Sequence, residues 1–179
     1  MSIILVTGPS RSGKSEWAEQ IAAQSQLPVF YIATAREDVH DPEWQARIEQ
    51  HQRRRPAAWV TRPVPFALSD CIAQAEAGDC LLIDSLGTWV ANCLGESAAQ
   101  WTQKCEDLLE TLTQTSATVI LVSEETGWGL VPSYPTGRLF RDRLGSLTRD
   151  ITPLTQAAYL VCMGMAINLK KIGVPVPKR

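Results

Sequence analysis

Short apolar runs alternate with amphipathic stretches along most of the chain. Ile3 to Gly8 ("IILVTG") is continuous, β-branched and closed by glycine, which predicts a strand buried on both faces. Val29 to Thr34, Cys80 to Ser85, Thr118 to Ser123 and the run from Ala157 ("AAYLVCMG") predict four more. In Ser15 to Gln24, Trp17 and Ile21 fall four apart, with Glu16 and Glu19 near the positive end of the predicted helix. Asp41 as N-cap and Pro42 at the first helical position predict a second helix, running on through His51 to Arg55. Phe66 to Gly78, Ser97 to Gln114 and Gly137 to Ile151 read as further helices. Strands separated by helical crossovers imply an α/β protein: a mainly parallel sheet flanked by helices on both faces, in three layers. One domain over residues 1–179 is expected. Ligands of such sheets bind beyond the carboxyl ends of the strands, so the loops after Val6, Ile32, Ile83 and Val122 are the places to search.

The longest apolar run, Ala157 to Ile167, is far shorter than the ~20 residues a membrane helix needs. It is expected to be a core strand and its exit, and no membrane span is expected. The start "MSIILVTG" has neither a basic region nor a small-residue cleavage site, which predicts a cytoplasmic protein without a signal peptide. Hydrophobic content of 45% and charged content of 20% are those of an ordinary globular chain. The formal net charge of -2 argues against a general nucleic-acid binder, whose affinity comes from cationic contacts to phosphates. The 5 cysteines are dispersed without C-x-x-C spacing and read as reduced thiols, most of them buried as small hydrophobes. With the 2 histidines they form no zinc pattern.

The loop after the first strand, "GPSRSGKS", fills every fixed position of G-x-x-x-x-G-K-[ST], between a predicted strand and a predicted helix. The alternative is a chance glycine-rich turn. Gly8 and Gly13 let the backbone adopt conformations that aim N–H groups inward, so Pro9, Ser10, Arg11 and Ser12 would wrap a phosphate. Lys14 would reach the β- and γ-phosphates, and the Ser15 hydroxyl would bind Mg2+. This predicts a fold of the P-loop NTPase type. Asp84, closing an apolar strand, either helps hold Mg2+ or caps the next segment. Glu124 and Glu125 close another strand; adjacent residues alternate faces, so at most one points at the site, and either is equally a solvated loop acid.

On a helix from Pro42, the side chains of Trp44, Ile48, His51 and Arg55 share one face, with Arg47 and Arg54 one turn either side of His51. One reading is a half-buried histidine on a basic surface helix. The other starts from the neighbouring cations, which lower a histidine pKa below its free value of ~6.5 and leave a neutral ring at neutral pH. Such an imidazole can attack an α-phosphorus and form a covalent phosphoramidate, with the arginines steadying the developing charge.

The segments "LVTGPSRSGKS", "FYIATA", "ARIEQHQRRRPAAW", "LLIDSLGTWVANCL", "EETGWGLVP" and "RLFRDRLG" occur in that order, and together the chain resembles the bifunctional adenosylcobinamide kinase / adenosylcobinamide-phosphate guanylyltransferase family. The resemblance implies two reactions. A nucleoside triphosphate phosphorylates the aminopropanol hydroxyl of adenosylcobinamide. GTP then gives GMP to that phosphate through a guanylylated histidine, which the matching motif places at His51. The resemblance also implies GTP contacts from Thr34, Ala35 and Arg36, base or phosphate contacts from Gln52, Arg53, Arg54 and Arg55, and a homo-oligomer, for which the family suggests a trimer. ATP, GTP and Mg2+ are the implied cofactors and the corrinoid the implied substrate. The arginine run has a second reading as a solvated basic face. The family pattern usually has Asn-Glu at Glu124-Glu125, which makes Glu125 the better match and Glu124 the unusual residue, and it differs also at Arg62, Ser146, Thr148 and Arg149. Two other readings compete: a small-molecule P-loop kinase in which His51 is inert, and a nucleotide-binding module without chemistry.

Overall fold

The computed structural model describes residues 2–36 and 55–177. Seven strands form one sheet: β1 (Ser2–Gly8), β2 (Val29–Ala33), β3 (Val60–Pro63), β4 (Cys80–Asp84), β5 (Thr118–Glu124), β6 (Ala157–Cys162) and β7 (Met165–Asn168). Their order is β3-β2-β4-β5-β1-β6-β7. Every pair is parallel except β6–β7. The helices are α1 (Lys14–Gln24), α2 (Leu68–Ala73), α3 (Leu86–Asn92), α4 (Ala98–Gln114), α5 (Pro135–Ile151) and α6 (Leu169–Ile172), with a 3-10 turn at Thr152–Leu154.

The central strands are apolar throughout because both faces are covered. On one face Ile3, Leu5, Ile32, Leu81, Ile83, Val119 and Leu121 pack against α2, α3, α4 and α5, around Trp89, Leu108, Leu112, Leu144 and Leu147. On the other, Val6, Tyr31, Leu82, Ile120 and Val122 pack under α1, with Trp17, Ile21, Trp59 and Tyr159 at its borders. Each fully buried aliphatic contributes about 1.5–3 kcal/mol. These alternating sets hold the strand register, since a one-residue slip would exchange the two faces. Among the described residues, no helix is long and apolar enough to cross a membrane.

The structure amends the expectations drawn from the sequence at several points. The helix expected over Phe66–Gly78 forms only at Leu68–Ala73; beyond it the Asp79 carboxylate accepts the Glu76 amide at 2.9 Å and fixes a turn. β3 reads poorly as a strand because all four residues are exposed and the last is proline, which an edge strand tolerates. α3 is an extra short helix, capped by the Ser85 side chain. The apolar run from Ala157 is a hairpin instead of a strand and its exit: Cys162 pairs with Met165 across Met163 (φ 52) and Gly164 (φ 75), both in the left-handed region that tight two-residue hairpin turns require. Only two of the cysteines, Cys80 and Cys93, are fully buried; Cys71, Cys105 and Cys162 are half-buried, and all five are free thiols. The helix expected from Pro42, with His51, Gln52, Arg53 and Arg54, lies outside the described residues. Arg55 itself sits in a bend, before Pro56, whose ring disfavours helical backbone at the preceding residue.

Candidate active site

The glycine-rich loop joins β1 to α1 at the middle of the sheet. Gly8 is enclosed: a Cβ there would lie 2.2 Å from the Val161 carbonyl oxygen and 2.7 Å from Ser12 Oγ. Arg11 (φ 56) and Gly13 (φ 96) take the left-handed turns that fold the loop. Lys14 opens α1 and its Nζ donates back to the Pro9 carbonyl at 3.4 Å, across the loop. Ser15 and Ser12 are buried, and Ser12 Oγ has no hydrogen-bond partner, so an incoming phosphate oxygen would satisfy it. The β6–β7 turn backs the loop, with the Gly164 amide donating to the Ser12 carbonyl at 3.0 Å.

The second half of the site gathers at the ends of β2, β4 and β5. In the sheet, β5 lies between β4 and β1; Glu124 stands opposite Gly8, and Asp84 opposite Val122. Asp84 is half-buried and accepts the Tyr31 hydroxyl at 2.8 Å. Burial and then the Asp84 carboxylate push the Tyr31 phenol far above its ordinary pKa, so it remains a donor. The helix cap is Ser85, not Asp84: the Ser85 side chain accepts the Thr88 amide at 3.3 Å and donates to Glu124 Oε1 at 2.6 Å. The Asp84–Ser85 peptide bond is cis.

Of the adjacent acids, Glu124 turns inward. Its Oε2 is buried without a partner, in space that exists because residue 87 is glycine; a Cβ there would come 1.9 Å from that oxygen. Burial raises its pKa above the ordinary carboxylate value, against the opposing hydrogen bond from Ser85, and the nearby Asp84 charge adds to the rise. Glu125 stays on the outer loop, where its carboxylate accepts the Gly127 amide.

The other residues expected at the nucleotide have structural partners. Thr34 is fully buried; its hydroxyl donates to the Ser85 carbonyl at 2.7 Å and accepts the Ser85 amide at 2.8 Å, tying β2 to β4. Arg36 is exposed, with its guanidinium 5.3 Å from the centre of the Phe66 ring. Arg55 lies over the Tyr31 ring and donates to Thr61 Oγ1 at 3.2 Å. Tyr31, Ser85, Asn92 and Gly87 were not singled out from the sequence. Asn92 Nδ2 donates to the Thr34 carbonyl at 2.8 Å and to the Pro65 carbonyl at 3.0 Å, which fixes the end of β2. Only the buried aromatic-to-acid pairing of β2 with β4 would have exposed Tyr31, and that pairing is not visible in one sequence.

Phosphate loop, strand order and the aspartate at the end of β4, one strand removed from β1, define an α/β nucleotide-binding protein of the P-loop NTPase type. Solved structures share the fold at low identity. An ATPase from a type III secretion system of pathogenic bacteria superposes with TM-score 0.58 at 12% identity, over 97% of this chain and 59% of that one. A protein from Pyrococcus horikoshii OT3 gives 0.56 at 8% identity, over 94% and 85%. Residues 4–169 match the family described as cobinamide kinase / cobinamide phosphate guanyltransferase, and the chain belongs to it. It is 40% identical to the bifunctional adenosylcobalamin biosynthesis protein CobP of Pseudomonas aeruginosa, over 93% of this chain and 96% of that protein. It is 33% identical to its counterpart CobU of Salmonella typhimurium, over 94% and 99%.

Proposed function

We propose that this chain carries out both reactions of its family: phosphorylation of adenosylcobinamide by ATP or GTP, then transfer of GMP from GTP to the adenosylcobinamide phosphate. The observation that carries the reading is the convergence of the Gly8–Ser15 loop with Asp84 and Glu124 at adjoining strand ends. The loop amides and the α1 N-terminus would take the β- and γ-phosphates, and Lys14 would neutralise the charge that builds on the γ-phosphoryl group. Ser15 and Asp84 offer only oxygen donors, which suits Mg2+. Bound there, that ion would supply neutralisation of the charge on the triphosphate. In the first reaction the substrate hydroxyl oxygen bonds to the γ-phosphorus while the bond from phosphorus to the bridging oxygen breaks, so that the nucleoside diphosphate leaves and the hydroxyl proton passes to water.

In the second reaction neutral His51 attacks the α-phosphorus of GTP and pyrophosphate leaves, giving a phosphoramidate. A phosphate oxygen of the corrinoid then displaces His51 and yields adenosyl-GDP-cobinamide. The arginines at 53 and 54 would steady the charge on the attacked phosphorus. A homo-oligomer in the cytoplasm completes the reading, and the exposed apolar side chains of Met165 and Ile172, on the β7 edge and α6, offer surface for a contact between subunits.

The test uses GTP labelled at the α-phosphate, followed by denaturation. The wild type is expected to retain protein-bound label that is released by acid and stable to base, and His51→Ala is expected to retain none. Label that survives acid, or that persists in His51→Ala, removes His51 from the mechanism. An unlabelled wild type that still phosphorylates adenosylcobinamide leaves a kinase alone.

A further inference from the structure

Three groups stand in line between the end of the basic segment and the end of β4. The Arg55 guanidinium carbon lies 3.2 Å from the centre of the Tyr31 ring. Tyr31 is 3% exposed, and its hydroxyl donates to Asp84 Oδ2 at 2.8 Å. Register explains the reach: Tyr31 pairs with Leu82, so Asp84 is two residues further along β4 on the same face, a diagonal neighbour that a long ring can span. Volume alone does not call for a tyrosine here. Phenylalanine would fill the same place in the core beside Leu82, and only the hydroxyl serves Asp84. On the other side, the ring face turned to Arg55 attracts a cation, and Arg55 is further held through Thr61.

We propose that Tyr31 is a positioning residue for Asp84 and that Arg55 braces it, so that one stacked contact ties Arg55 to the carboxylate of the phosphoryl-transfer site. The inference rests on the reading that Asp84 helps hold Mg2+. A carboxylate fixed by a hydrogen bond at one oxygen presents the other in a set direction, and loss of such partners commonly weakens a metal site by 10–100-fold. Arg55 acts one contact further away, through the orientation of the ring.

The experiment follows thermal stability of the full chain with ATP, first in EDTA and then across a MgCl2 titration. Tyr31→Phe is expected to keep the stabilisation by ATP alone and to need about tenfold more Mg2+ for the additional stabilisation. In turnover its kcat falls while KM for ATP stays within about twofold, and excess Mg2+ restores part of kcat. Arg55→Met moves the Mg2+ midpoint in the same direction by about threefold, and the double variant goes no further than Tyr31→Phe. A wild-type Mg2+ midpoint in folded Tyr31→Phe overturns the proposal. If Tyr31→Phe does not fold, Arg55→Met decides, and an unchanged midpoint there overturns it. A wild type whose stability with ATP ignores Mg2+ overturns the underlying metal reading as well, which separates the two failures.

Discussion

In the phosphate loop the backbone does the shaping, whereas around Asp84 the side chains do it. The loop is made by two glycines, one left-handed arginine and a carbonyl held by the amide of Gly164. The carboxylate half is a web of Tyr31, Thr34, Ser85, Asn92 and Glu124, each bonded to a group on a different element. A backbone site tolerates changes of side chain that do not alter its dihedrals or fill its space. A side-chain site should instead respond to single polar groups and to their protonation.

Three substitutions probe that difference, in decreasing order of effect. Gly8→Ala puts a methyl group 2.2 Å from a main-chain oxygen that cannot move aside alone. It should cost about 1–3 kcal/mol of stability and remove the thermal stabilisation by ATP. A variant that keeps both would mean that the loop is less constrained than its geometry indicates.

Glu124→Gln probes the other half through pH. The folded protein raises the pKa of Glu124, so above the ordinary value of 4.5 the native state keeps a proton that the unfolded chain releases. Wild-type stability should therefore fall, relative to the glutamine variant, as pH climbs from 4.5 through the raised value. Denaturant midpoints of the two proteins up to about pH 8 give the comparison. Curves that stay parallel would contradict a carboxyl group enclosed by Ser85 and Gly87.

The smallest effect belongs to Gly164→Ala, where no atom lies within 4 Å of the new methyl and only the φ of +75 resists it. A loss of about 1 kcal/mol is expected from the left-handed backbone, with a modest weakening of ATP binding through Ser12. An ATP affinity that is unaltered despite the lost stability would show that the turn supports the fold but not the loop.

The same contrast explains what the sequence made legible. The phosphate loop is local: eight consecutive residues state their dihedrals and their chemistry, and strand and helix flank them as expected. The α/β layering was equally plain, because apolar runs of strand length recur between amphipathic stretches. Asp84 was visible as an acid ending such a run. Its donor, Tyr31, stands 53 residues away and meets it only through the pairing of β2 with β4. Alternation along a strand limited the inward acid to one of Glu124 and Glu125, but the choice depends on the opening beside Gly87. β7 was hidden by its own composition, since an apolar run interrupted by Met163-Gly164 reads as one strand until both left-handed dihedrals are seen.

The hydrogen bond from Gly164 to Ser12 also has a consequence for biogenesis. β1 lies between β5 and β6, which begin at Thr118 and Ala157 and so are synthesised after it. Its loop is buttressed by a turn made later still. The nascent chain must carry β1 unpaired until those two strands have been made, a topology in which distant contacts close late. Capacity to grip a nucleotide then arrives only once the β6–β7 turn has followed the loop off the ribosome.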